Sequence, residues 1–320
     1  MLRLFNRLLD YFLNIIRNAL FLIKKGIGGM KVLIIKSDKD SFEQKVNSWF
    51  KQSGCYVECV NIQGKKGIRK RLVYLKEIMN LKKKYRNRID KVVVFEDSRL
   101  YFYVLFFFSN SYLWLWNTVP HSKAVKLRLA LCNRKNSIYS FDEQDCLNYK
   151  FKHNTQFIFC EAPNEKTYNK YDLYFVGADK GRYQMLDRIY KHLILNSIEP
   201  LFQMIPANEK KYQNKNILCE HFVEYEEVLK NINSSKAVLD LCKPGQIGMT
   251  YRVMEALFYN KKIVTNNTHY RDLPFYSPES IYFLEDGLEG LKDFIEAPEV
   301  KYDETIKDYY SVENWLRRFE

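Results

Sequence analysis

Residues 243–267, KPGQIGMTYRVMEALFYNKKIVTNN, join a Gly-rich turn to a helical pattern and then to an apolar strand pattern. Just upstream, Val238, Leu239, Asp240 and Leu241 form a short apolar run halted by Cys242, Lys243, Pro244 and Gly245, which reads as a strand followed by a turn. Gly248 lets backbone amides approach a ligand, and Thr250 is the expected N-cap of a helix over 251–259. Asn260 is its C-cap, and 261–265 is the next strand. Free N–H groups in a first helical turn attract anions. Arg252 in that turn opposes the helix dipole unless an anion joins it, so the pattern predicts a bound phosphate. Glu255, one turn later, is placed to accept hydrogen bonds from ribose or sugar hydroxyls, and Gln246 and Met249 belong to the same ligand-binding loop. The alternative is an ordinary i,i+3 surface ion pair between Arg252 and Glu255.

Residues 172–182, DLYFVGADKGR, repeat the chemistry. A β-rich run leads into Gly177 and then Asp179, Lys180, Gly181 and Arg182, ahead of a helical pattern over 183–195. Two cations beside a glycine at a strand end suit a departing pyrophosphate, whose charge needs fixed donors; Lys180 and Arg182 are the candidates, and solvated turn residues are the alternative. No GxGxxG or GxxxxGK[ST] pattern occurs, so neither a typical dinucleotide fold nor a P-loop is indicated.

FVGADKGR, QIGMTYRVMEAL, KKIVTNN, Phe275-Tyr276-Ser277-Pro278 and the closing SVENWLRRF together resemble bacterial glycosyltransferases of the GT-B fold, most of all those of capsular and lipopolysaccharide assembly. Trp116-Asn117-Thr118-Val119 and residues 140–154, SFDEQDCLNYKFKHN, extend the resemblance from about Met30 to the C-terminus. It implies an α/β protein with two Rossmann-like domains whose parallel sheets face each other across a cleft. The activated sugar belongs in the second domain and a glycan or lipid-linked acceptor in the first. It further implies that Glu255 matches the later glutamate of an E-x7-E pair that holds a nucleotide ribose. The earlier position is Ile247, a departure from that pattern, with Gln246 as a polar neighbour. No metal or other cofactor is expected, because helix dipole and Lys/Arg neutralise the diphosphate.

At 320 residues the chain is long enough for two such domains, and its 47% hydrophobic content supports real cores. The formal charge of +13 is unevenly spread: residues 1–90 hold 21 Lys/Arg against 7 Asp/Glu, and the remainder is nearly balanced. Lys65-Lys66, Arg69-Lys70-Arg71 and Lys82-Lys83-Lys84 would meet a polyanion, either nucleic acid or an anionic bilayer. The first 29 residues favour the bilayer. On a helical wheel Arg3, Arg7, Asp10, Arg17, Lys24 and Lys25 share a narrow arc with several asparagines, and Leu, Ile, Phe and Tyr fill the rest, as in an interfacial helix. Its charges argue against a membrane span, and no small-residue cleavage site marks a signal peptide. A helix docked on the protein itself is the alternative. The expected location is therefore the cytoplasmic face of the membrane, peripherally bound, with nucleic acid not expected as partner.

The seven cysteines show neither CxxC nor Cys/His metal spacing and read as reduced thiols. Asp38-Lys39-Asp40 reads as a cap and turn rather than a metal motif. Met30 to Ile35 opens the first strand, and helices over 42–52 and 69–85 and strands over 56–62 and 91–95 follow. A buried helix over 101–108 and a strand over 112–116 deliver Asn117 and Thr118 to the acceptor cleft. His121, in the loop beyond, is a candidate base for the acceptor hydroxyl, with Asp97 and Asp142 as competing carboxylates that could equally be helix caps. The interdomain hinge is expected over 161–169. The expected division is an interfacial helix (1–29), an acceptor domain (30–165), a nucleotide-sugar domain (166–305) and a terminal helix (306–320) that crosses back to the first domain. Two other classes stay open: a basic nucleic-acid-binding protein, and an inactive scaffold of the same fold that binds a partner transferase.

Overall fold

Val32–Lys36 (β1) and Lys91–Phe95 (β3) are buried at every residue, the mark of parallel strands covered on both faces. The computed structural model describes residues 29–36, 41–60, 67–120, 122–133, 137–158, 169–207, 211–243 and 246–320, with side chains in the first helix from 46 onward. The expected amphipathic N-terminal helix, Asp38–Asp40, Lys65, Lys66, His121 and most of the expected hinge lie outside the described residues.

With Tyr56–Cys59 (β2), Ser111–Leu115 (β4), Ile138–Ser140 (β5) and Lys152–His153 (β6), these strands form a parallel sheet in the order β2-β1-β3-β4-β5-β6. Alternate residues of each strand point to opposite faces. Leu33, Ile35, Val92 and Val94 pack with Ser98–Phe107 (α3), Gly67–Lys84 (α2) and Lys123–Cys132 (α4). Val32, Ile34, Val93 and Phe95 pack on the other side with Ser41–Gln52 (α1). Glu143–Tyr149 (α5) completes this half.

Tyr171–Ala178 (β7), Pro200–Ile205 (β8), Ser235–Asp240 (β9), Lys262–Thr265 (β10) and Ile281–Phe283 (β11) form the second parallel sheet, ordered β11-β10-β9-β7-β8. Tyr183–Leu195 (α6) and Leu291–Glu296 (α9) cover one face; Tyr225–Asn233 (α7) and Tyr251–Phe258 (α8) cover the other. The expected α/β architecture of two Rossmann-like parallel sheets is thus the observed one. The apolar layer around α7 and α8 is continuous with that around α1, and Trp49 stacks on Tyr251 with ring centroids 6.3 Å apart.

After Glu304–Tyr309 (α10), the last helix Val312–Arg317 (α11) packs on the first sheet. Trp315 is fully buried, its ring 4.3 Å from that of Phe157 and 5.3 Å from that of Trp114. Lys91 Nζ donates to the carbonyls of Leu316 and Phe319, and Tyr139 Oη to that of Glu320 at 2.7 Å. These bonds satisfy carbonyls that a helix end leaves open.

Two local readings differ. The 101–108 segment is not wholly buried, because α3 buries Leu100, Tyr101 and Val104 but leaves Phe106 70% exposed. Helix α4 was not anticipated: KAVKLRLALC buries only Leu129 and Cys132 and leaves Leu127 and Leu131 exposed, so it lacks a clean helical stripe. Among the described residues no helix is long and apolar enough to cross a membrane.

Candidate functional site

Strand β7 has β8 on one side and β9 on the other, so the ends of β7 and β9 flank the point where the crossovers reverse direction, where open α/β sheets collect ligands. Beyond β7 the chain turns through Lys180 at φ +46° and Gly181 at φ +87°, left-handed conformations that reverse it sharply before α6. Arg182 then folds back over the Phe175 ring. Its guanidinium donates to the carbonyls of Ala178, Asp179 and Leu241, the last at 2.9 Å. An added Cβ at Gly177 would meet Arg182 Nη2 at 3.0 Å, so the glycine makes room for this arginine. Arg182 thereby braces the two strand ends instead of reaching out as a free phosphate ligand.

Lys180 and Lys243 remain. Burial and the positive charges of Lys243 and Arg182 lower the pKa of Lys180, and no carboxylate pairs with either lysine among the described residues. Neighbouring like charges disfavour protonation unless an anion comes between them.

The loop from β9 to α8 is held by a buried polar network. Asp240, 4% exposed, accepts from Thr250 Oγ1 and Tyr270 Oη, both at 2.8 Å. Thr250 caps α8 as expected, accepting from Arg252 N. Asn267 Nδ2 donates to Ile247 O at 3.0 Å, and Asn266 Oδ1 accepts from Cys242 N at 2.8 Å. Asp240, Tyr270, Asn266 and Asn267 escape a reading of the sequence; the one signal is a carboxylate inside an otherwise apolar strand run. Gln246 is turned onto its own loop, near Gly248 O, and Met249 packs against the apolar core.

Several expectations are corrected here. Glu255, expected to hold a ribose, is 0% exposed and lies sealed between Arg252 and the hydroxyl of Tyr225. Burial pushes its carboxyl up while Arg252 pulls it down. Arg252 is consequently compensated by Glu255 and needs no bound phosphate to offset the helix dipole: an i,i+3 ion pair is observed, buried at Glu255 where the alternative put it on the surface. Gly248, expected to present its amide to a ligand, donates it instead to Asp142 Oδ2 at 3.0 Å, beside Ile247 N at 3.2 Å. A Cβ there would stand 2.6 Å from Phe141 O. Asp142 also accepts from Asp145 N as the cap of α5, so it latches the two halves together as a buried carboxylate held by three N–H donors. Asp97 is likewise a cap, accepting from Arg99 N, Leu100 N and the Tyr74 hydroxyl.

The latch also brings together the C-terminal ends of both sheets. On the first sheet those ends border a cavity of about 430 Å³ lined by Glu96, Asp97, Asn117 and Pro120 among others; Thr118 is half-buried beside it. Glu96 adopts φ +56°, and its Oε1 accepts from Trp116 N at 2.5 Å and Asn117 N at 2.7 Å.

No family model and no curated protein matches this chain. Among solved structures it is similar to a glycosyltransferase from Rickettsia africae ESF-5, with a TM-score of 0.53 and 10% identity over 91% of this chain and 97% of that one. A protein assigned as a UDP-N-acetylglucosamine 2-epimerase from Listeria monocytogenes (TM-score 0.42, 10% identity, covering 88% of this chain and 94% of that one) and an α1,3-fucosyltransferase (0.36, 12%, 87% and 84%) are more distant. At such identities the likeness speaks for fold alone: this chain has a GT-B-like α/β fold, two parallel sheets meeting at their C-terminal ends.

Proposed function

We propose that the chain is a glycosyltransferase moving a hexosyl group from a nucleotide-diphosphate sugar to a glycan or lipid-linked acceptor in cell-surface polysaccharide assembly. The observation that carries this reading is the pair of unneutralised lysines, Lys180 and Lys243, at the reversal point of the second sheet. An acceptor hydroxyl attacks the anomeric carbon, the bond from that carbon to the diphosphate oxygen breaks, and the nucleoside diphosphate leaves with its charge met by the two lysines. Arg182 keeps the strand ends in register beneath them, and Thr250 and Asp240 shape the loop above. No metal or cofactor enters this reading. His121 follows Pro120, which lines the first-sheet cavity, and is the proposed base. The outer faces of α2, α3 and α4 carry exposed apolar side chains among lysines and arginines, which supports peripheral binding to the cytoplasmic face of a membrane.

Calorimetric titration with UDP, GDP, CDP and a short DNA duplex tests the reading, using wild type and the Lys180→Gln/Lys243→Gln double variant. One nucleotide binds, and the double variant weakens it at least about tenfold without lowering Tm. Because the Lys180 pKa lies below the ordinary 10.5, affinity falls with rising pH earlier than an isolated lysine would dictate. DNA binding without nucleotide binding overturns the proposal, and nucleotide binding without release of diphosphate from any sugar donor indicates an inactive scaffold.

A further inference from the structure

The cavity at the C-terminal ends of β1, β3 and β4 holds an unusual charge arrangement. Lys36, Lys70, Arg99 and Arg128 all line it, together with Glu96 and Asp97. Lys36 is the last residue of β1 and only 2% exposed. Glu96 accepts from the Trp116 and Asn117 amides, and Asp97 from two α3 amides and the Tyr74 hydroxyl. Lys70 rests over the Tyr74 ring, and Arg128 Nη1 donates to Ser98 Oγ at 3.2 Å. Among the described residues no carboxylate pairs with Lys70, Arg99 or Arg128. The left-handed backbone at Glu96 holds its side chain on the Trp116 and Asn117 amides, and strain of this kind concentrates at ligand sites. Leu115, Val119, Val125 and Leu129 supply apolar wall beside the cations. A cavity of about 430 Å³ lies within the range of small-molecule sites.

We propose that this cavity binds a phosphate or diphosphate group borne by the acceptor, held by Lys70, Arg99 and Arg128 with the acceptor's uncharged part against Trp116 and the apolar wall. Guanidinium forks match phosphate oxygens in a bidentate way. The assignment rests on the transferase reading for the word acceptor, and on the cavity alone for the phosphate. The phosphate could come from a soluble molecule or from a membrane lipid. The lipid source is served by the exposed Leu72 and Phe106 on the outer faces of α2 and α3, the helices whose first turns carry Lys70 and Arg99.

The full chain is titrated with inorganic pyrophosphate and with octyl phosphate, in the presence of the best-binding nucleoside diphosphate so that the second-sheet site is filled. Calorimetry and tryptophan fluorescence, to which Trp116 contributes, report binding. The Lys70→Gln/Arg128→Gln double variant binds both probes at least about tenfold more weakly, and Arg128→Lys recovers part of the loss. Nucleotide affinity and Tm stay at wild-type values. Tighter binding of octyl phosphate than of pyrophosphate indicates a lipid source, and the reverse order a soluble one. Equal affinity of wild type and double variant for both probes overturns the proposal. Failure of every nucleotide to bind, with pyrophosphate binding still lost in the variant, overturns the transferase reading and leaves the phosphate site standing.

Discussion

Gly248 and Asp142 form a polar contact that joins the two halves beside their shared apolar layer. The carboxylate accepts from two amides of a loop 105 and 106 residues away and from the first turn of its own helix. Asp142→Ala leaves buried N–H donors unsatisfied and removes a helix cap, an expected loss of about 2–4 kcal/mol in urea unfolding. Gly248→Ala puts a methyl within 2.6 Å of the Phe141 carbonyl oxygen, so the halves separate or the loop shifts, seen as a lower Tm and a larger radius in small-angle scattering. An unchanged radius and Tm in both variants would remove the latch from the account. The sequence marks Asp142 well as a cap, since Asp before EQD is a local signal. Nothing local marks its other two donors, the amides of Ile247 and Gly248. Glu255 is the opposite case: its type and spacing suggested a ligand, yet the turn of α8 aims it inward at Arg252 and Tyr225.

Among elements, α11 is short, six residues, too short to be stable alone in water. It persists because its apolar face completes the core of a sheet formed almost entirely by residues before 154. Trp315 contacts the rings of Phe50, Phe95, Trp114, Phe157 and Phe319. Trp315→Ala is expected to cost about 3–5 kcal/mol, measured by denaturant unfolding. A loss below about 1 kcal/mol would show that the sheet does not need the helix. The SVENWLRRF pattern announces a terminal helix, and Ser311 caps it. Its destination depends on Lys91 and Tyr139, which donate to the carbonyls of Leu316 and of Glu320 just beyond it.

For the molecule as a whole, the side of the first sheet covered by α2, α3 and α4 exposes Ile68, Leu72, Met79, Phe102, Phe106 and Leu127. The last turn of α2 adds Lys82, Lys83 and Lys84. Such a face suits an anionic bilayer, apolar side chains entering the interface and lysines meeting headgroups. Sedimentation with vesicles of anionic phospholipid should therefore exceed that with zwitterionic vesicles, and Leu72→Ser/Phe106→Ser should reduce it several-fold without lowering Tm, since both side chains are exposed. Equal sedimentation of wild type and double variant would exclude this face. Composition located the positive charge in the first 90 residues, whereas the apolar contribution of α3 and α4 emerges only when the three helices lie side by side.

The alternation of apolar strand runs with helical periods marked an α/β chain with parallel strands, because strand and helix patterning repeats within a few residues, and the resemblance supplied its division into two sheets. The same local reach made Thr250 legible as a cap and Asn260, at φ +53°, as a helix stop. Only the tertiary structure decided that Arg182 braces strands, that Glu255 is sealed, that Asp142 joins the halves and that four cations gather at the ends of β1, β3 and β4. Each of those outcomes depends on which residues meet across large separations in sequence, through hydrogen bonds, close packing and charge, and no periodicity encodes such meetings.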